Sequence, residues 1–378
     1  MMNFMNKRLS TTMVVMALSF LSMIILIPAC EAKRSFSFTK YRTTKNTTSA
    51  ISTAPVTTVV ASQTIQPTTQ TISPVVAVSP SNFTPTSLTN ISSMWVWSES
   101  AGIVTDATKQ AEFFSFVNAP HSNAGAKINR IYLNGDSFDY TNSSNKTALR
   151  AFLKSAHDQG IAVEYLTGDS NWVITGNENQ AIVRCNKMTA FNAETSDARE
   201  RYDGIHLDIE PYLAPGWTSN ASAGTDIYND ETEKNYLNIL SNCKTVLKNS
   251  GQNTTLSADI PTWFAQASDI WSVITSVSSP LDYITVMNYF DTEATFLYGY
   301  GGQNITGGIG PNIKANVNVP MVFGAETSQQ DPASITFFEE GFNAMENVFT
   351  RAKQTFGNNQ NFAGVAIHHY GAVKNLKN

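Results

Sequence analysis

From residue 94 to residue 378 the chain alternates eight times between a short apolar run and a longer connecting stretch. The apolar runs are 94–98, 127–135, 160–167, 204–210, 255–263, 283–291, 319–327 and 362–370. Each has the length of a strand buried on both faces. Between them lie amphipathic runs at 108–118, 146–159, 180–201, 231–249, 267–277 and 334–356. In the second of these, Leu149, Phe152, Leu153 and Ala156 recur at helical spacing, and Gly160 and Gly251 stand where helices stop. The crossover at 298–316 is Gly-rich and carries little helix signal. Strand–helix alternation predicts an α/β fold with a parallel sheet, and eight units close it into a (β/α)8 TIM barrel over 94–372. An open doubly wound sheet is the alternative, but no Gly-rich phosphate loop follows the first strand.

The fourth run carries the chemistry. In Ile205-His206-Leu207-Asp208-Ile209-Glu210 the apolar and ionisable residues alternate. Successive side chains of a strand point to opposite faces, so Ile205, Leu207 and Ile209 share one face and His206, Asp208 and Glu210 the other. Asp203-Gly204 is a turn signal that feeds the strand, and Pro211 ends it. An apolar face covered by helices and an ionisable face turned inward fit the C-terminal mouth of a barrel, where catalytic residues collect. Asp208 and Glu210 are expected roughly 6–7 Å apart on one face. Two carboxylates that close cannot both ionise freely, and a glutamate whose pKa is raised is a general acid. The plain alternative is a solvated strand end, but three inward ionisable groups in a row are costly for a core strand.

The other strand ends supply a matching set. Trp97 and Glu99 stand at the end of the first strand; Tyr132, Asn134 and Asp136 at the end of the second; Tyr165 and Thr167 at the end of the third, with Trp172 in the loop after it; Tyr212 and Trp217 come after the fourth. Asp259 and Trp263 end the fifth, Asn288, Tyr289 and Asp291 the sixth, Glu326 the seventh, and His368, His369 and Tyr370 the eighth. Indole faces stack on the C–H faces of sugars, and carboxylates and amides bind their hydroxyls. The expected site is therefore a carbohydrate cleft. Its substrate-binding residues are Trp97, Asp136, His206, Trp263, Asn288, Asp291, Glu326, His368 and Tyr370. His206 and one of His368 and His369 are expected to meet in the mouth and tune the carboxylates by hydrogen bonding. His121 and His157 read as surface residues. No Cys/His spacing suggests a zinc site, and neither metal nor cofactor is expected.

The pattern Asp203-Gly204-Ile205-x-x-Asp208-x-Glu210 resembles the active-site strand of glycoside hydrolase family 18, the chitinase-like barrels. That family reads Asp-Gly-x-Asp-x-Asp-x-Glu, so His206 stands where it has an Asp that helps hold its neighbour's charge state. Met287-Asn288-Tyr289 resembles its Met-x-Tyr-Asp motif, with Phe290 at the Asp position and Asp291 one residue later. The family's Trp near the end of strand eight is replaced by His368-His369-Tyr370. The resemblance implies that Glu210 is the acid, that Asp208 and Tyr289 hold an N-acetyl group, and that the substrate's own carbonyl attacks the anomeric carbon. An alternative is a retaining glycosidase with Glu210 as acid and Glu326 on strand seven as nucleophile. A third reading, a non-catalytic sugar-binding barrel, ranks lower because the acid is present.

Hydrophobic residues make up 42% of the chain, enough for a packed core, and the net charge is −5. Residues 1–93 carry seven Lys/Arg and one acid, a net of +6, which leaves −11 on residues 94–378. An acidic domain argues against nucleic acid as a partner. Residues 1–30 read as an export signal, with Lys7 and Arg8 before an apolar run from Met13 to Ile27. Ile27-Pro28-Ala29-Cys30 resembles a lipobox, so lipid anchoring through Cys30 and simple secretion both stand. Residues 31–93 are rich in Ser, Thr and Pro and read as a disordered linker. Residues 94–378 form the catalytic domain. A secreted or cell-surface monomer acting on a polysaccharide or oligosaccharide is expected. Cys185 and Cys243 fall in neighbouring helices and either pair or remain buried thiols.

Overall fold

The computed structural model describes residues 87–378 apart from 124, 216–230, 267, 301–306, 316–317 and 331. The leader with Cys30, residues 31–86 of the linker, and Trp217 lie outside the described residues. Eight parallel strands close into a barrel in chain order. They are β1 (Ile91–Val96), β2 (Arg130–Asn134), β3 (Ala162–Thr167), β4 (Gly204–Leu207), β5 (Thr255–Pro261), β6 (Tyr283–Met287), β7 (Met321–Glu326) and β8 (Phe362–His368).

Helices connect them. α1 (Ser100–Thr105) and α2 (Ala107–Asn118) follow β1, and α3 (Ser143–Asp158), α4 (Asn179–Ala193), α5 (Glu231–Asn249) and α6 (Ser268–Ile274) follow the next four strands. α7 (Glu293–Tyr298) and α8 (Ile309–Ala315) follow β6, α9 (Phe342–Phe356) follows β7, and α10 (Tyr370–Val373) follows β8. Side-chain caps start several of them. Asp106 accepts from the Thr108 and Lys109 amides at α2, and Asn142 from the Ser144 and Asn145 amides at α3.

Several boundaries differ from the sequence reading. The first strand begins at Ile91, inside the stretch read as linker, because the register Ile91–Gly364 is needed to join β1 to β8. Gly364 has φ 152°, and a Cβ there would lie 1.9 Å from the Ile91 carbonyl oxygen, so a side chain would block that closure. The helix expected over 180–201 stops at Ala193, and the one over 334–356 starts only at Phe342, after a turn at Ala333–Ile335. The Gly-rich sixth crossover holds two short helices, α7 and α8. His157 is buried: it hydrogen-bonds Asp203 Oδ2 at 2.9 Å and the Arg199 carbonyl at 2.6 Å. Asp203 Oδ2 also accepts from the Val163 amide at 2.6 Å, which ties the foot of β4 to β3.

The outward face of the barrel is apolar. Ile205, Leu207 and Ile209 of the fourth run are buried in the layer beneath the helices. Within that layer α4 and α5 pack together, joined by a disulfide between Cys185 and Cys243. The inward face is unusual. Barrel interiors are ordinarily filled by branched aliphatic side chains. Here Arg130, Glu164, Tyr283, Tyr132, His206, Ser257, Asp259 and Trp95 are all buried inside. Arg130 forms an ion pair with Glu164, and Glu164 also accepts from Thr255 Oγ1 (2.9 Å), Ser257 Oγ (2.7 Å) and Tyr283 Oη (2.8 Å). A buried charge is tolerated when it is paired and its remaining lone pairs are filled, and Glu164 meets both conditions.

Candidate active site

The ladder between β3 and β4 outlasts β4 itself by one residue, since the Asp208 amide still donates to the Thr167 carbonyl at 2.9 Å. A Cβ on Gly168 would stand 1.8 Å from the Asp208 carbonyl oxygen, so glycine lets the two strand ends meet here. The chain then turns sharply. Glu210 has φ 49° and ψ 61°, left-handed values that a side chain other than glycine rarely adopts, and Pro211 opens a 3-10 turn to Leu213. Such a conformation costs about 1–3 kcal/mol and is held only where the surroundings enforce it. It leaves Glu210 half-exposed at the mouth, where Tyr212 Oη donates to Oε1 at 2.8 Å. Tyr212 in turn rests edge-on against Trp263 and Phe264 at ring separations of 5.4 and 6.0 Å. Asp208 is half-buried.

Below the two carboxylates lies His206, which has no solvent exposure. Its ring stacks on Tyr132 at 3.7 Å. Nδ1 lies 2.6 Å from Ser257 Oγ and Nε2 lies 3.0 Å from Asp259 Oδ1. Trp95 Nε1 donates to the other Asp259 oxygen at 3.0 Å. Burial pushes the imidazole down to about 3, with Glu164 opposing and Arg130 reinforcing the shift. Burial likewise holds the Asp259 carboxyl well above the carboxylate range, against the Trp95 hydrogen bond.

Across the mouth, Trp97 Nε1 donates to His368 Nε2 at 3.1 Å, and His368 Nδ1 donates to Glu326 Oε2 at 2.9 Å. Glu326 Oε1 accepts from the Thr327 and Ser328 amides, both at 2.8 Å, and from the Ser328 hydroxyl. Burial alone would raise the Glu326 pKa. The His368 ring and the Ser328 donors outweigh it and bring the carboxyl down to about 2. Tyr289 is half-buried, its ring 5.9 Å from that of His368. The structure thus gathers Trp97, Tyr289, Glu326 and His368 on one side, and Glu210, Tyr212 and Trp263 on the other.

Four residues assigned to sugar binding sit elsewhere. Asn288 is buried, its amide donating to the Phe296 carbonyl (2.9 Å) and its oxygen accepting from Thr262 Oγ1 and the Gly308 amide (both 3.0 Å). It braces the loops after β5 and β6. Asp136 turns to the helix side, where Tyr165 Oη and Thr167 Oγ1 donate to it and Arg184 and Lys187 of α4 pair with it. Burial would raise its pKa, but those hydroxyls and cations lower it. Tyr370 is buried against Phe113 and Phe116 of α2, at 5.0 and 5.6 Å. His206 is sealed beneath the mouth, out of a ligand's reach. Trp172, read as a rim aromatic, is buried with the Arg184 guanidinium 5.1 Å over its ring. Asp291 is half-exposed ahead of α7. Phe290, at the Asp position of the family motif, is buried edge-on to Tyr300.

Sequence reasoning missed Trp95, Arg130, Glu164 and Ser257. The signal was present, because the register pairs Trp95 with Tyr132, Tyr132 with Glu164 and His206 with Ser257. Carrying the parity of His206 across neighbouring strands would have exposed these inward residues.

No family model matches the chain, and no curated protein matches it in sequence. Solved structures do match. A chitinase from Bacteroides thetaiotaomicron is 12% identical with a TM-score of 0.43, covering 75% of this chain and 90% of that one. A family 18 N-acetylglucosaminidase from Paenibacillus barengoltzii is 15% identical with a TM-score of 0.40, covering 75% and 98%. A β-mannanase from the blue mussel Mytilus edulis is 13% identical with a TM-score of 0.46, covering 76% and 90%.

Proposed function

We propose that this protein is a glycoside hydrolase that cleaves an N-acetylhexosamine-containing glycan, with Glu210 as general acid and the substrate's acetamide as internal nucleophile. The observation that carries this reading is the contrast between two strand-end carboxylates. Glu210 is half-exposed on a strained turn, in reach of a glycosidic oxygen at the mouth. Glu326 has no solvent exposure, and both its oxygens are engaged by donors. A nucleophile needs a free lone pair aimed at the anomeric carbon, so Glu326 is poorly suited to attack. The attacking oxygen then comes from the substrate.

In this scheme Glu210 gives its proton to the leaving oxygen as the acetamide carbonyl closes on C1. Asp208 and Tyr289 hold the acetamide, and the Glu210 carboxylate later takes a proton from the water that opens the ring. Trp97 and Trp263, both half-exposed, offer stacking faces on opposite sides of the mouth. The disulfide between α4 and α5 supports an oxidising compartment, hence secretion or display at the cell surface. The test is hydrolysis of chitooligosaccharides against the same oligomers without acetyl groups. Glu210→Gln should retain binding and lose at least about 10²-fold in kcat. Equal turnover of acetylated and unacetylated oligomers would discard the internal nucleophile, and near-normal turnover by Glu210→Gln would discard the acid.

A further inference from the structure

Trp97 stands one residue past the end of β1, and a chain of hydrogen bonds ties its indole to the two strands that precede β1 around the barrel. The chain runs from Glu326 of β7 through His368 of β8, which face each other in the strand register. Its hydrogens follow from the donors alone. An indole N–H only donates, so the 3.1 Å contact from Trp97 Nε1 needs a bare lone pair on His368 Nε2. An imidazole bare at Nε2 carries its hydrogen on Nδ1, which donates to Glu326 Oε2 at 2.9 Å. Glu326 can therefore only accept there. Its other oxygen already takes the Thr327 and Ser328 amides and the Ser328 hydroxyl. The histidine is fixed at its main chain too, where its carbonyl accepts from the Thr327 amide at 2.8 Å and from Thr327 Oγ1 at 2.7 Å. Its ring lies edge-on to Trp95 at 5.4 Å. Exposure rises along the chain, from none at Glu326 to 12% at the His368 side chain and a half-exposed indole at Trp97. The anchored end is sealed, and the aromatic end reaches the mouth.

We propose that Glu326 and His368 are positioning residues that act through Trp97: their chain holds the indole in one rotamer, as a preformed platform for a pyranose ring of the glycan. The ligand's identity rests on the hydrolase reading given above, and the placement of the hydrogens does not. A released indole samples several χ1 and χ2 wells, and a sugar has to select one of them. An indole locked beforehand removes that ordering cost from binding. The chain thus serves glycan affinity, while bond breaking stays with Glu210. Glutamine at 326 is the informative replacement. Its oxygen must stay where the Thr327 and Ser328 donors converge, so its amide N–H points at His368 Nδ1. His368 then moves its hydrogen to Nε2, where it opposes the Trp97 N–H and releases the indole.

The experiment combines 15N NMR of the full protein, labelled at histidine and tryptophan, with chitooligosaccharide kinetics. In wild type His368 should show a protonated Nδ1 and a bare Nε2, with one sharp Trp97 indole signal. A hydrogen on Nε2 in wild type overturns the proposal. Glu326→Gln should move the hydrogen to Nε2 and broaden or double the Trp97 signal. Its KM should rise at least about tenfold while kcat changes less than KM does, the mark of lost binding and not of lost chemistry. A folded Glu326→Gln with unchanged KM, or with kcat collapsed at unchanged KM, overturns the proposal. Should that variant not fold, two replacements of His368 decide. His368→Gln can present its amide N–H to Glu326 and its oxygen to Trp97, and should recover most of the affinity that His368→Leu loses. Equal loss in both refutes the chain. If wild type hydrolyses no glycan, the hydrolase reading falls, and the tautomer switch in Glu326→Gln still decides whether the chain holds Trp97.

Discussion

Glu326 shows how a single side chain can be committed to structure while sitting where chemistry is expected. Its pKa of about 2 lies below the ordinary glutamate value of 4.5. A group depressed in the folded state stabilises it fully above the unfolded pKa, and the contribution fades as pH falls through the folded one. We therefore expect wild type to lose about 3 kcal/mol between pH 6 and pH 2 from this residue. Urea unfolding of wild type and Glu326→Gln should show a gap that is wide at pH 6 and closes towards pH 2; a gap independent of pH refutes the assignment. At this scale the sequence was legible wherever strand parity held. Ile205, Leu207 and Ile209 face the helices and His206 faces inward, as alternation requires. Parity gave no guide past the last ladder bond, which is why Asp136 and Tyr370 were misplaced. Beyond that bond the turn, and not the pleat, decides where a side chain goes.

At the scale of elements, the strands and long helices were legible because their period is set by burial on a regular lattice. α5 spans the range read from the sequence, Glu231–Asn249, with Tyr236, Ile239, Leu240, Cys243 and Leu247 buried along one face. α7 and α8 were not legible. Each is only six or seven residues long, too short for a periodic signal, and glycine surrounds them. The pairing of α4 with α5 was open in the sequence and is closed by the disulfide. Its two cysteines lie 58 residues apart, so breaking it frees a long loop in the unfolded chain. Loop-closure entropy puts the loss near 4 kcal/mol. Guanidinium unfolding of the paired double variant Cys185→Ala/Cys243→Ala should show a loss of that order; an unchanged midpoint would show that the crosslink constrains nothing.

For the whole molecule, the distinguishing property is a barrel whose interior is polar from the Arg130–Glu164 pair up to the mouth. Hydrophobic patterning pointed to the barrel because it reads the outer face, where strands meet helices. It could not read the inner face, whose residues are held by one another across strands far apart in sequence. This organisation makes a specific demand. Arg130→Met should destabilise by about 3–5 kcal/mol, since it leaves Glu164 charged and unpaired at zero exposure. Arg130→Met combined with Glu164→Leu should recover much of that loss, which calorimetric Tm values of the two variants can establish. Additive losses would mean that the pair is not coupled.

The left-handed turn at Glu210 bears on descent as well as on the proposed catalysis. The fold prefers glycine or asparagine at that position, and under the proposed function the glutamate is kept there against this preference. If Glu210 is the proposed acid, a lineage released from selection for turnover would gain stability by discarding it in a single substitution. Glu210→Asn should melt above wild type while hydrolysing nothing, a result that differential scanning calorimetry beside a glycan assay would establish. Relatives of this barrel that only bind sugar are then expected to carry small or amide residues at this turn, as the downhill product of drift.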